Sequence, residues 1–129
     1  MKKRIENYIQ PALEQIRQRL SNDSQEVNEK YDGYASSLGP TIINSGLKPA
    51  LSLYTDIKRN ERPKRVEILQ IISIMLQSGG EPIPAPDEET SLLDYAINPQ
   101  NAGNEIALRE NIMDAIIALK LAFRNFKHV

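Results

Sequence analysis

The sequence predicts an all-α protein, a single-domain compact bundle of about six helices spanning residues 1–129. Apolar residues recur at spacings of three and four along most of the chain, which is typical of one face of an α-helix. No segment keeps the strict apolar–polar alternation of a half-buried strand. A chain of 129 residues with 40% hydrophobic residues fits one core and leaves no room for two ordinary domains.

The first two predicted helices cover residues 3–20 and about 25–38. Pro11 lies inside the first helix, so we expect a kink or a fresh start near residue 10, because proline costs about 3 kcal/mol in a helix interior. Asp23 or Ser24 is expected to cap the second helix by accepting a hydrogen bond from a free backbone N–H.

Residues 34–54 are predicted to form a tightly packed helix junction, because small residues and helix-terminus residues alternate with apolar ones there. We expect Gly39 and Pro40 to interrupt or bend the second helix. Gly46 is expected to end the following turn with a positive φ. A third helix is predicted over about 47–60.

Three further helices are predicted, over about 63–77, 88–97 and 104–127. The first of them is apolar on nearly every side, which indicates burial all round. Its β-branched residues also suit a strand, but its length and its lack of alternation favour a helix. A loop is predicted over 78–86, where three prolines and two glycines prevent regular structure.

Composition excludes several classes of protein and site. There is no cysteine, hence no disulfide, thiolate nucleophile or cysteine zinc site. The one histidine, His128, has no second imidazole for a metal site, and we expect it to be solvated near a helix C-terminus. The longest apolar runs are far short of the ~20 residues of a membrane span. The basic N-terminus is not followed by an apolar stretch, so we expect no signal peptide and a cytoplasmic protein.

No residue set predicts catalysis. Glu88, Glu89 and Asp94 are more simply solvated acids at a helix start than a general acid–base pair. Ser36 and Ser37 lack an orienting acid and an oxyanion-hole motif to act with His128. The run from Arg109 to Asp114 is interpreted as alternating charge on an exposed helix face. We therefore predict no catalytic residue, no metal site and no cofactor.

The distribution of charge suggests an anionic partner. Residues 1–65 carry 12 Lys and Arg against 8 Asp and Glu, a net of +4, whereas residues 66–129 carry 4 against 9, a net of −5. Residues 58–65 hold five cations and one acid and form a basic connector between two helices. Lys2, Lys3 and Arg4 could extend this patch toward a nucleic-acid backbone, although a solvated loop beside a helix end explains the same residues. The candidate RNA-binding residues are Lys58, Arg59, Arg62, Lys64, Arg65, Arg17 and Arg19.

The chain resembles the small subunit of type III-B CRISPR–Cas effector complexes, the Cmr-type small-subunit family. The resemblance covers nearly the whole chain. It depends on the N-terminal helix, on residues 30–40 leading into Ile42-Ile43-Asn44-Ser45-Gly46-Leu47, on the helix ending in Tyr54, and on the long last helix. The turn at residues 44–47, with Ala50, Leu51 and Tyr54 downstream, is its most specific part.

This resemblance implies a helical bundle with no catalysis of its own. Several copies would stack along a ribonucleoprotein filament, contact its larger subunits and lie along target RNA paired with the CRISPR RNA. Two other functions remain open. A free-standing DNA- or RNA-binding regulator should expose a recognition helix with clustered base-reading side chains, and a small nuclease needs a clustered acid or histidine site.

Overall fold

The computed structural model describes residues 2–55, 64–81, 91–98 and 103–129. Within these ranges the predicted all-α bundle is confirmed. The helices are α1 (Lys2–Gln15), α2 (Glu29–Ser45), α3 (Leu47–Tyr54), α4 (Val66–Ser78), α5 (Ser91–Ile97) and α6 (Glu105–Phe123). A π-helical turn, Ile16–Leu20, continues α1, and two short strands, β1 (Glu26–Val27) and β2 (Lys127–His128), pair in parallel.

The core lies around α4 and α6. Helix α6 packs against α1, α2 and α4, while α3 packs against α2 and α5. Eight of the thirteen residues of α4 are buried, as its apolar sequence predicts. Among the described residues, no helix is both long enough and apolar enough to cross a membrane.

Of the kink or fresh start expected near residue 10, the fresh start was wrong, and the kink stays a prediction. Helix α1 runs through Pro11, and the departure from α-helical geometry comes later, at Ile16–Leu20. Pro11 cannot donate to the carbonyl of Asn7, but Asn7 is exposed, so water can bond that carbonyl.

The start of α2 and the end of α6 also differ from the prediction, and for one reason. Val27 belongs to β1, which pairs with β2, so neither segment continues a helix and the expectation of no strand was wrong. Asn28, rather than Asp23 or Ser24, caps α2, and its side chain accepts a hydrogen bond from Lys30 N at 3.0 Å. Helix α6 accordingly ends at Phe123 instead of residue 127.

Gly39 and Pro40 do not interrupt α2, which continues to Ser45. Pro40 is exposed to solvent, whereas Gly39 is buried. A Cβ at Gly39 would lie 3.6 Å from Met113 Cε of α6, so α2 passes close to α6 at this residue. The predicted junction is instead made by Gly46, whose φ of 93° ends α2.

Parts of three predicted elements lie outside the described residues. Helix α3 ends at Tyr54, and residues 56–60 of its predicted range are among those not described. The same holds for Pro63 before α4, for residues 82–86 of the predicted loop, and for residues 88–90 before α5.

Gly46→Ala should destabilise the protein by about 1–3 kcal/mol, because a side chain is strained at φ 93° and ψ 164°. Gly33→Ala is the matched control, since Gly33 lies within α2 and a Cβ there meets nothing within 4 Å. We expect the control to stabilise by about 0.5–1 kcal/mol. Urea unfolding measures both, and equal effects of the two substitutions would contradict the assigned strain.

Candidate nucleic-acid interface

The structure describes four of the seven predicted RNA-binding residues. Lys64 and Arg65 precede α4 and are half-buried, whereas Arg17 and Arg19 lie on the π-helical turn and are exposed. Lys58, Arg59 and Arg62 lie outside the described residues.

Arg65 lies over the faces of two tyrosines. Its guanidinium carbon is 5.4 Å from the ring centroid of Tyr34 in α2 and 5.9 Å from that of Tyr54 in α3. Both distances are within the range of a cation–π interaction. Arg65 therefore joins the start of α4 to α2 and α3.

The phenol of Tyr54 is fixed by hydrogen bonds. Its hydroxyl donates to the carbonyl oxygen of Tyr34 at 2.7 Å and lies 2.5 Å from Ser37 Oγ. Only 2% of Tyr54 is exposed, so these partners replace water for a buried hydroxyl. The predicted junction of residues 34–54 thus holds its tyrosine rings in place beneath Arg65.

A second tyrosine connects α2 to α4. The Tyr31 hydroxyl donates to Glu67 Oε2, and the Tyr31 ring meets the Tyr34 ring edge to face, with centroids 6.4 Å apart. Glu67 lies in the first turn of α4, where its negative charge is favourable to the helix dipole.

Arg19 contacts α4 through Gln70. Its guanidinium donates to Gln15 Oε1 at 2.9 Å and to Gln70 Oε1 at 3.4 Å. Gln70 follows Arg65 by five residues, which is about 7.5 Å along a helix axis and about 140° around it. Arg17 is about half a turn away from Arg19 on the π-helical turn, and this places it on a different side. The structure thus places Lys64 and Arg65 side by side before α4 and ties Arg19, but not Arg17, to the same helix by a described hydrogen bond.

Arg4 is used inside the bundle. Its guanidinium donates to Asn111 Oδ1, and its Nη1 lies 3.2 Å from Asp114 Oδ2. This second contact is an ion pair, and Asp114 Oδ2 has no hydrogen-bond partner among the described residues. Because Asp114 is buried, Arg4 is needed to neutralise it, so part of the Arg4 charge is offset within the bundle.

The interpretation of residues 109–114 as an exposed charged face was wrong for two of them. Asp114 is 5% exposed and Asn111 is half-buried. Asn111 donates to Glu81 Oε1 at 2.8 Å, and the Tyr95 hydroxyl donates to Glu81 Oε2 at 3.0 Å. The sequence feature that could have indicated this burial is the spacing of Asn111, Asp114 and the buried Ala118, which is that of a buried helix stripe.

The rejected catalytic sets are engaged in other contacts. Ser37 Oγ is held by Tyr54 as described, and His128 Nε2 lies 3.1 Å from Phe123 O, which confirms its position at a helix C-terminus. Asp94 is exposed, whereas Glu88 and Glu89 lie outside the described residues. Among the residues that the structure describes, no three His, Asp or Glu side chains are grouped closely enough to hold a metal ion.

Three tyrosines have altered acidity. Burial raises the pKa of Tyr54 above its ordinary 10.0, and the Ser37 hydrogen bond and the Arg65 charge lower it by less. Burial also raises the pKa of Tyr8, which Arg4 partly lowers, and burial with the Glu81 hydrogen bond raises the pKa of Tyr95. Each therefore contributes stability that is present below pH 10 and is lost as the pH rises through the folded pKa.

Tyr54→Phe should reduce the loss of stability between pH 8 and pH 10.5, because the variant lacks a phenol that ionises more readily in the unfolded chain. It should also cost about 1 kcal/mol at pH 8, because its hydrogen bonds are removed. Ser37→Ala keeps the phenol but removes the hydrogen bond that lowers its pKa, so its alkaline loss should exceed that of the wild type. Urea unfolding at both pH values gives these differences, and an unchanged alkaline loss in Tyr54→Phe would contradict them.

Comparison with known proteins gives one match. The family model described as CRISPR-associated protein (Cas_Cmr5) matches residues 4–121. The search of curated proteins and the search of solved structures returned no match. Since the family match covers far more than half of the 129 residues, the chain belongs to the Cas_Cmr5 family, the small subunits of type III-B, Cmr-type CRISPR–Cas complexes.

Proposed function

We propose that the protein is a non-catalytic structural subunit of a CRISPR RNA-guided complex that targets RNA in antiviral defence. The family match over residues 4–121 carries this proposal. Several copies stack along the complex in the cytoplasm, where they contact other Cmr subunits and the duplex of CRISPR RNA and target RNA. Target RNA cleavage then belongs to a neighbouring subunit.

The basic residues at the start of α4 support the RNA contact. Lys64 and Arg65 directly precede α4, Arg19 donates to Gln70 within it, and the connector supplies Lys58, Arg59 and Arg62 just before Lys64 in sequence. We include Arg17 as a further cation on the exposed side of the π-helical turn. Contacts of this kind go to phosphates, so they are independent of base sequence and sensitive to salt.

An apolar stripe on α6 supports stacking. Ile106, Ile117 and Leu121 are 76%, 45% and 36% exposed, and spacings of eleven and four place them on one side of α6. Gly39 of α2 lies against Met113, and Lys48 in α3 pairs with Glu105 at 3.9 Å. Ile43 in α2, a helix that packs against α6, is a further exposed apolar residue at 61%. Exposed apolar side chains that share one side of a helix suit a protein interface.

Replacing the five connector cations with alanine should weaken target RNA binding by the reconstituted complex and flatten its salt dependence. The slope of log affinity against log salt should fall by about 0.7–0.9 for each phosphate that the variant no longer neutralises. Assembly should survive. The substituted residues are Lys58, Arg59, Arg62, Lys64 and Arg65.

The matched control removes the same charge from exposed cations elsewhere, namely Lys30, Lys48, Arg109, Lys120 and Lys127. We expect this control to bind RNA with nearly the wild-type salt slope. Equal slopes in both variants would show that net charge, and not the connector, attracts RNA.

Ile117→Lys should lower the number of copies of this subunit in the complex, because it places a charge in the centre of the α6 stripe. Its own stability should change by about 1 kcal/mol or less, since Ile117 is 45% exposed. Ser24→Lys adds the same charge at an exposed turn and should assemble normally. Native mass spectrometry of the reconstituted complex counts the copies. If the Ile117→Lys variant is present in the full number of copies, α6 is not part of the stacking surface.

A further inference from the structure

Arg65 is an unfavourable residue at its position in the helix. It is the residue that precedes α4, its side chain forms no cap, and a positive charge opposes the dipole at a helix N-terminus. The faces of Tyr34 and Tyr54 offset this cost, because their ring quadrupoles attract the guanidinium. The two rings thus explain how an arginine is accommodated at this position without a bound phosphate.

The Tyr54 ring beneath Arg65 is held in place by contacts that do not involve Arg65. Tyr54 is buried and its hydroxyl is fixed to Tyr34 O and Ser37 Oγ, so the ring cannot turn without breaking those hydrogen bonds. The Arg65 guanidinium can keep these ring contacts while the N–H groups at its edge reach another partner, so experiment must distinguish a positioning role from a direct phosphate contact. A planar guanidinium is well suited to remain on the two rings, since it can stack on aromatic rings.

Lys64 has no such partner among the described residues, although it carries the same charge one residue earlier. Its backbone belongs to the first turn of α4, because Glu67 N donates to Lys64 O at 3.2 Å and Ile68 N donates to Arg65 O at 3.0 Å. The contacts that hold Arg65 on the two rings therefore also fix the direction in which the Lys64 side chain leaves the helix.

We propose that Arg65 is a positioning residue, whose stacking on Tyr34 and Tyr54 orients the neighbouring Lys64 toward an RNA phosphate. This inference rests on the proposed RNA contact and deepens it. Of these two adjacent cations, Lys64 contacts RNA and Arg65 holds Lys64 in place.

A double-substitution experiment on the reconstituted complex separates this role from a direct contact. Lys64→Ala and Arg65→Ala should each weaken target RNA binding roughly two- to fivefold and lower the salt slope by about the 0.7–0.9 of one phosphate contact. The double variant should bind little more weakly than either single variant, because both remove the same contact. Two direct contacts would instead give additive effects and twice the change in slope, and that result would overturn the inference.

Tyrosine variants test the same role without removing any charge. Tyr34→Leu should reproduce the weaker binding and the smaller salt slope of Arg65→Ala, while Tyr34→Phe, which keeps the ring, should stay close to the wild type. Wild-type binding by Tyr34→Leu would contradict the proposal. Native mass spectrometry confirms that each variant occupies the complex, so that a loss of folded subunit is not mistaken for weaker binding.

The outcomes distinguish this inference from the proposed function. If Lys64→Ala and the five-alanine variant both bind RNA normally, the RNA contact is absent and both proposals fail. If Lys64→Ala weakens binding but its effect adds to that of Arg65→Ala, the RNA contact stands and the positioning role fails. Thermal unfolding adds an RNA-independent check, in which Arg65→Ala and Tyr34→Leu should each lower Tm by about 2–5 °C and should not be additive.

Discussion

The burial of α4 and α6 is the constraint on which the rest of the structure depends. Helix α4 has apolar residues on nearly every side, and α6 contacts three other helices, so α1, α2, α3 and α5 must surround these two. The buried serine and threonine hydroxyls of the described core each bond the carbonyl oxygen four residues earlier in the chain. Ser73 donates to Leu69 O at 2.9 Å, and Thr55 donates to Leu51 O at 2.5 Å.

A buried carboxylate cannot be satisfied in that way, and Asp114 shows the consequence. It pairs with Arg4 of α1, which also donates to Asn111, and Glu81 accepts hydrogen bonds from both Asn111 and Tyr95. Part of the Arg4 charge is thereby offset within the bundle. A count of charges along the sequence does not include such pairing.

The sequence was sufficient for the features that depend on apolar spacing. It predicted the fold class, the buried α4, and Gly46 at the junction between α2 and α3, because each follows from residue type and local period. It failed where distant segments meet. Nothing near Val27 indicates that it pairs with His128, so the start of α2 and the end of α6 were placed wrongly together. The close approach of α2 to α6 at Gly39 likewise involves Met113, which is far away in sequence.

The candidate site was predicted in the same uneven way. Sequence composition identified the basic stretch before α4, but it treats Lys64 and Arg65 as equal, and only the fold brings Tyr34 and Tyr54 under one of them. It also joined Arg17 to Arg19, although only Arg19 is tied to Gln70 by a described hydrogen bond. Which cations are available is decided by tertiary contacts that no local pattern contains.

Several polar contacts among the described residues lie at the ends of helices. Asn28 caps the start of α2, Arg65 and Glu67 contact tyrosines at the start of α4, Glu81 follows its end, and His128 lies at the end of α6. A core made of apolar side chains is non-directional and does not by itself determine the angle at which a chain leaves a helix. Under the proposed function these angles matter, since charges and exposed apolar residues must meet partners in fixed places. Directional contacts at the helix ends supply what apolar packing cannot, and the stacking of Arg65 on two tyrosine rings, in a position where its charge is otherwise unfavourable, is one such contact.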